Sequence, residues 1–210
     1  MTTPPAQMDQ WLPLFPLQTV LFPNGVLPLR IFETRYIDMV RECMRNDRPF
    51  GVVAIRTGAE TGPPAEPETI GCMAHIMHWD MQVGGLLQIR TVGGMKFRIL
   101  QTRTLKDGRL EAQIIPVADD VAAATSSAHV ACATALRRIT NDFDERIGDD
   151  DALAYPFAKP LRFDEVGWVA NRWSEILPIP LKARQKLLEL VDPGSRLSII
   201  YTYLQQHQIL

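Results

Sequence analysis

"LFPLQTVLFPNGVLPLRIFETRYIDMV", residues 14–40, decides how this chain is read. Two apolar runs flank Pro23-Asn24-Gly25. Proline presets φ and Asn-Gly tolerates the left-handed conformation, so the stretch predicts two short strands around a turn. The apolar period then moves from two toward the helical 3.6. Phe32, Tyr36, Met39, Val40 and Cys43 share one helical face, while Glu33, Arg35, Asp38, Arg41 and Glu42 are largely outward. Asn46-Asp47 before Pro49 ends that helix. No Lys or Arg precedes Arg30, and the prolines would break a signal-peptide helix. The segment is scaffold.

Outward from this stretch, "FGVVAI" at 50–55 reads as a buried strand by its β-branched run. Residues 57–69, rich in Gly, Pro and Glu, read as a mobile loop. Residues 70–117 read as β structure interrupted at Gly84-Gly85, Gly93-Gly94 and Asp107-Gly108. After about residue 119 the period is helical. Ser126 or Ser127 can cap a helix carrying Val130, Ala133, Leu136, Ile139, Phe143 and Ile147. Beyond a linker at 148–163, Asp164 can cap a helix with Val166, Val169, Trp173 and Ile176. Pro180 opens a third, with Ala183, Leu187, Leu188 and Val191. Asp192-Pro193-Gly194 stops it, and Ser195 caps a last helix bearing Leu197, Ile200, Tyr203 and Leu204. The expected class is α+β, with a β domain over 1–119 and a helical bundle over 120–210.

The composition bounds the function. The 210 residues are 46% hydrophobic and 22% charged, with a formal net charge of −2, so the whole-molecule field of a dedicated nucleic-acid or membrane-surface binder is missing. Cys43, Cys72 and Cys132 are scattered and odd in number, which favours buried free thiols in a reducing compartment, with the cytoplasm as the default. No apolar run has the length of a membrane span.

The ordered motifs Phe22-Pro23, Leu27-Pro28-Leu29 and Phe32-Glu33-x-Arg35-Tyr36 are followed by "FGVV", "IGCMAHI" and "GLLQIRTVGGMKFRIL". Together they resemble the amino-terminal domain of the Lon protease family, in its stand-alone bacterial form without ATPase or protease domains. The resemblance covers about residues 12–120 and continues more loosely into the helices. It implies a PUA-like β pseudo-barrel followed by a C-terminal α-helical bundle. Its implied activity is recognition of exposed apolar polypeptide segments or of a protein partner. Asn24 ahead of Gly25 departs from the family's Phe-Pro-Gly by one residue. Glu33 and Arg35 then read as a framework ion pair or caps. The chain has no GK[ST] triplet for a phosphate loop, and no Ser-Lys dyad is carried over, so no catalytic residue is assigned.

Other motifs have structural readings. Cys72, His75 and His78 form C-x2-H-x2-H, but strand alternation puts Cys72 and His78 on one side and His75 on the other, so no metal is expected. A catalytic cysteine lacks any local signature. Asp149, Asp150 and Asp151 read as a solvated linker, and "TVGGMKF" as a hairpin rather than a phosphate cradle. Arg90, Lys96, Arg98 and Arg103, with Lys106 and Arg109, could serve an RNA-binding PUA-like module, yet aromatics for base stacking are scarce among them.

The strand at 71–81 supplies the candidate peptide-binding residues. Alternation sets Met73, His75, Met77, Trp79 and Met81 on one face, a soft and adaptable apolar strip. The competing reading is a strand buried on both sides. The sequence therefore predicts a non-enzymatic, cytoplasmic binding module for a polypeptide or protein partner, needing no cofactor and no membrane, with room for a homo-oligomer. RNA binding is the alternative, and an enzyme with an unrecognised small-molecule pocket the third reading.

Overall fold

Prolines, glycines and β-branched runs divide the first half of the chain into strands. Longer amphipathic runs make the second half helical. A computed structural model describes residues 11–147 and 155–210. In chain order the elements are β1 (Leu12–Leu17), β2 (Val26–Ile31), α1 (Thr34–Arg45), β3 (Phe50–Thr57), β4 (Glu66–Met81), β5 (Leu87–Thr104) and β6 (Leu110–Pro116). Four helices follow: α2 (Ser127–Ile147), α3 (Val166–Ile176), α4 (Leu181–Glu189) and α5 (Pro193–Gln206). The fold is α+β.

The strands form one sheet in the order β2-β5-β4-β3-β1-β6, and β5 also pairs with β6, so the pairing returns on itself. β1 and β3 run parallel, and the other pairs are antiparallel. β1 and β2 are the expected strands, but they do not pair with each other: β1 joins β3 and β6, and β2 joins β5. Asn24 takes the left-handed conformation at φ 59° between them, as its residue type allows. Phe32 does not share the buried helix face. It precedes α1 and is exposed, while Tyr36, Met39, Val40 and Cys43 are buried.

Gly93-Gly94 is not a turn. β5 runs unbroken through it, and a Cβ on Gly93 would lie 2.0 Å from the Phe22 carbonyl oxygen. The glycine lets the 22–25 turn press onto the strand, where Asn24 N–H donates to the Gly93 carbonyl at 2.7 Å and Gly93 N–H to that of Gly25 at 2.8 Å. The 57–69 loop is shorter than expected, because β3 extends to Thr57 and β4 begins at Glu66.

Two packed clusters sit on the two faces of the paired strands. One holds Phe15, Tyr36, Met39, Cys72, Ala74, Leu87 and Ile89; the other holds Leu14, Val53, Met73, Phe97 and Ala112. The helices bury Cys132, Leu136, Val169, Trp173, Leu197 and Ile200 in a third. Val20, Phe22, Ala54 and Ile70 meet Leu187 and Leu188 of α4 in a fourth cluster that joins strands to helices.

Several helix expectations change. Val130 and Ile176 face solvent, because α2 and α3 pack on neighbouring stripes, and so do Ala183 on α4 and Val191, which lies past the helix end at Glu189. Glu165, not Asp164, is the N-cap residue of α3. Asp192 caps α5 by accepting from the Ser195 N–H at 2.6 Å, so Asp192-Pro193 starts that helix, and Ser195 is a donor within it. Ser126 caps α2, accepting from the His129 N–H at 3.2 Å. The Asp149–Asp151 run lies outside the described residues.

Candidate functional site

β4 is longer than its neighbour. β3 pairs with it as far as Phe50 opposite Ala74, and from His75 to Met81 only β5 accompanies it. Among the described residues no strand bonds the other edge of that segment. An unpaired edge presents a row of free N–H and C=O groups to any extended chain.

A bulge decides which side chains share this segment's faces. Ile76 pairs with Thr91 and His78 with Arg90, so β4 gains one residue at Met77. Directly opposed residues share a face. Trp79 opposite Ile89 and Met81 opposite Leu87 therefore continue the face of Ile76, whereas His75, His78 and Asp80 occupy the other. Met77 and Trp79 are 66% and 54% exposed, Met81 is at the surface, and Val83 stands fully exposed at the hairpin tip.

The predicted five-residue strip is thus corrected. Met73 is 7% exposed and packs with Leu14, Val53 and Phe97, because it opposes Gly51 where β3 still covers β4. From Ile70 to Ala74 the strand is buried on both sides. His75 is exposed on the opposite face from Trp79 and Met81, against Gly94. What remains is an apolar edge of Met77, Trp79 and Met81. The bulge also moves His78 to the face of His75 and away from Cys72, with which strict alternation had grouped it.

The basic residues do not form one free patch. Lys96 is 1% exposed and pairs with Asp120 at 3.2 Å. Arg90 donates to the Tyr155 carbonyl. Arg103 pairs with Glu111 at 2.6 Å and lies 4.2 Å over the Trp11 ring, while Arg98 is exposed. Arg35 pairs with Glu33 at 2.8 Å and donates to the Gly62 carbonyl, a framework tie between α1 and the 58–65 loop. Cys43, Cys72 and Cys132 are free and buried; burial raises the Cys43 and Cys132 thiols from 9.0 to about 11, and raises Cys72 as well.

Sequence reasoning missed a buried ionic layer between strands and helices. Arg172, fully buried on α3, donates to the carbonyls of Asn24 at 2.6 Å and Pro23 at 2.9 Å, and pairs with Glu175 at 2.8 Å. Burial raises the Glu175 carboxyl, against the pull of Arg172. Beside it Arg196 donates to Asp120 at 2.7 Å and to Asn171. The available signal was arginine at two positions inside otherwise apolar helix faces, in "VANRWSEI" and "GSRLSII".

The α+β fold that carries these features matches a known class. The chain belongs to the family described as the ATP-dependent protease La (LON) substrate-binding domain, whose model matches residues 11–206. That domain is the non-catalytic part of its family, and the chain spans about a quarter of the Lon relatives it matches. Lon protease 2 of Myxococcus xanthus is 26% identical over 204 residues, covering 95% of this chain and 24% of that protein. Protein cereblon of Gallus gallus is 26% identical over 148 residues, covering 69% of this chain and 32% of its own. Among solved structures, a Lon N-terminal domain protein from Xanthomonas campestris superposes with a TM-score of 0.73 at 29% identity, covering 92% of this chain and 98% of that one. No described helix is long and apolar enough to cross a membrane.

Proposed function

We propose that this chain is a non-enzymatic, cytoplasmic recognition module that captures exposed apolar polypeptide segments by strand addition to the open edge of β4. The carrying observation is the coincidence of an unpaired edge from His75 to Met81 with the exposed side chains of Met77, Trp79 and Met81. Backbone hydrogen bonds supply sequence-tolerant affinity, and the thioethers repack around different partners at little cost. In this reading residues 1–119 are a PUA-like pseudo-barrel domain, residues 120–210 a helical bundle, and the β4–β5 hairpin a projection of the barrel. Membership of the substrate-binding family supports the reading.

The test is fluorescence anisotropy with reduced, carboxymethylated α-lactalbumin as a permanently unfolded probe. Met77→Ser with Trp79→Ser should weaken capture at least tenfold and leave thermal unfolding close to that of the parent protein. Unchanged affinity in a folded double variant would discard the site.

A further inference from the structure

The junction of strands and helices encloses a cleft of about 640 Å³ that no residue of β4 lines. Its walls come from the Pro23-Asn24 turn, Gly93–Lys96 of β5, the 119–123 connection and the start of α3. We propose that this cleft binds a carboxylate whose bearer also carries a cationic group, and that Lys96 is its anchor.

The floor holds one buried cation, Lys96, and Arg196 reaches the same Asp120 from outside the lining. Lys96 and Arg196 are both buried and both lean on one carboxylate, that of Asp120, at 3.2 and 2.7 Å. Asp192, whose charge also reaches Arg196, caps α5 at the surface. Two buried cations sharing one anion leave positive charge that the interior does not neutralise, an arrangement that favours an added anion.

Donors without acceptors line the same cleft. An ammonium has three N–H groups, and Lys96 gives one to protein, to Asp120. Asn171 lines the cleft and is tied to Arg196 through Oδ1, which accepts. Trp168 is buried, lines the cleft, and its Nε1 has no partner. Buried donors in proteins are nearly always satisfied, and a ligand oxygen is one way to do so. A carboxylate accepts and does not donate, so it fits this donor set.

The rim has the opposite sign. Asp119 and Asp164 line it without an ion-pair partner among the described residues, and Arg162 and Glu165 pair with each other at 3.6 Å. Such a rim repels polyanions and attracts a cation held outside the carboxylate. Two sources have this chemistry: a free basic amino acid, and the C-terminal end of a polypeptide with a basic residue close to it.

Isothermal titration of the whole chain separates them. The probes are L-arginine, the peptide acetyl-Ala-Ala-Lys-Ala with a free carboxylate, the same peptide amidated, and inorganic phosphate. Binding of either carboxylate probe, with no binding of the amidated peptide or phosphate, is the expected result, and whichever probe binds identifies the source. Lys96→Met leaves Asp120 paired with Arg196 and should lower affinity at least tenfold. Asp119→Asn with Asp164→Asn should weaken the basic probe several-fold. The amidation comparison needs no variant and stands even if Lys96→Met fails to fold. Failure of both carboxylate probes to bind, or equal binding of the amidated peptide, overturns the proposal, and neither outcome bears on the β4 edge.

Discussion

Gly25 lies so close to Glu175 that a Cβ built on it would fall 1.9 Å from the Glu175 Oε1 atom and 2.9 Å from the Phe22 carbonyl oxygen. A turn in the opening segment and a carboxylate on α3, far apart in sequence, thus occupy adjoining space. Arg172 completes the joint by binding Glu175 and the two carbonyls just before Gly25. The junction is a fitted contact between strands and helices.

Gly25→Ala should therefore destabilise the protein by about 1–3 kcal/mol, the usual range for overpacking a dense site. The Glu175 side chain can shift, but the Phe22 carbonyl belongs to the turn. Urea unfolding monitored by far-UV circular dichroism measures the effect, and a change within about 0.5 kcal/mol of parent would mean that the turn moves freely.

Arg172→Met should cost more. It strands the half-buried Glu175 carboxyl and two turn carbonyls, and breaking a buried pair by removing one partner typically costs about 3–5 kcal/mol. Adding Glu175→Gln should recover part of that loss. A double-mutant cycle with no coupling would show that the pair is not energetically linked.

Tyr36→Ala and Trp173→Ala should each cost about 3–5 kcal/mol. Tyr36 stacks on Phe15 with ring centroids 4.2 Å apart, and Trp173 donates from Nε1 to the Cys132 carbonyl at 3.0 Å. Near-parent melting of either variant would contradict these burials.

Thiol titration follows from burial. With the Cys43 and Cys132 thiols raised to about 11, the folded protein holds protons that the unfolded chain releases near 9, so these groups make stability fall as pH rises from 9 to 11. At pH 8 iodoacetamide should modify the cysteines slowly in the native protein and readily in 6 M guanidinium. Mass spectrometry showing rapid native labelling would contradict the packing.

Arg98→Glu with Arg103→Glu distinguishes polypeptide capture from RNA binding. Capture through the β4 edge should change little and depend weakly on salt. An RNA site would lose affinity on charge reversal, and its affinity would fall steeply with salt as counterions are released.

Local rules were enough for the elements themselves. The Pro23-Asn24-Gly25 turn, the α1 face from Tyr36 to Cys43, the turns at Gly84-Gly85 and Asp107-Gly108, the helical second half and the Glu33–Arg35 pair all depend on neighbours within a few positions. The ordered motifs around them carried the family resemblance. Long-range pairing decided the rest. Strict alternation cannot foresee that β4 gains a residue at Met77, because a bulge answers to the strand beside it, so Trp79 and Met81 changed face, while Met73 went to the core because β3 still covers β4 there. Gly93-Gly94 looks like a turn in one dimension and is a strand flattened beneath the Phe22 carbonyl in three. Lys96, Arg172 and Arg196 look like surface charges until Asp120, Glu175 and two backbone carbonyls arrive from elsewhere in the chain. A charge can be buried only where its partner is, and that partner is placed by the tertiary fold.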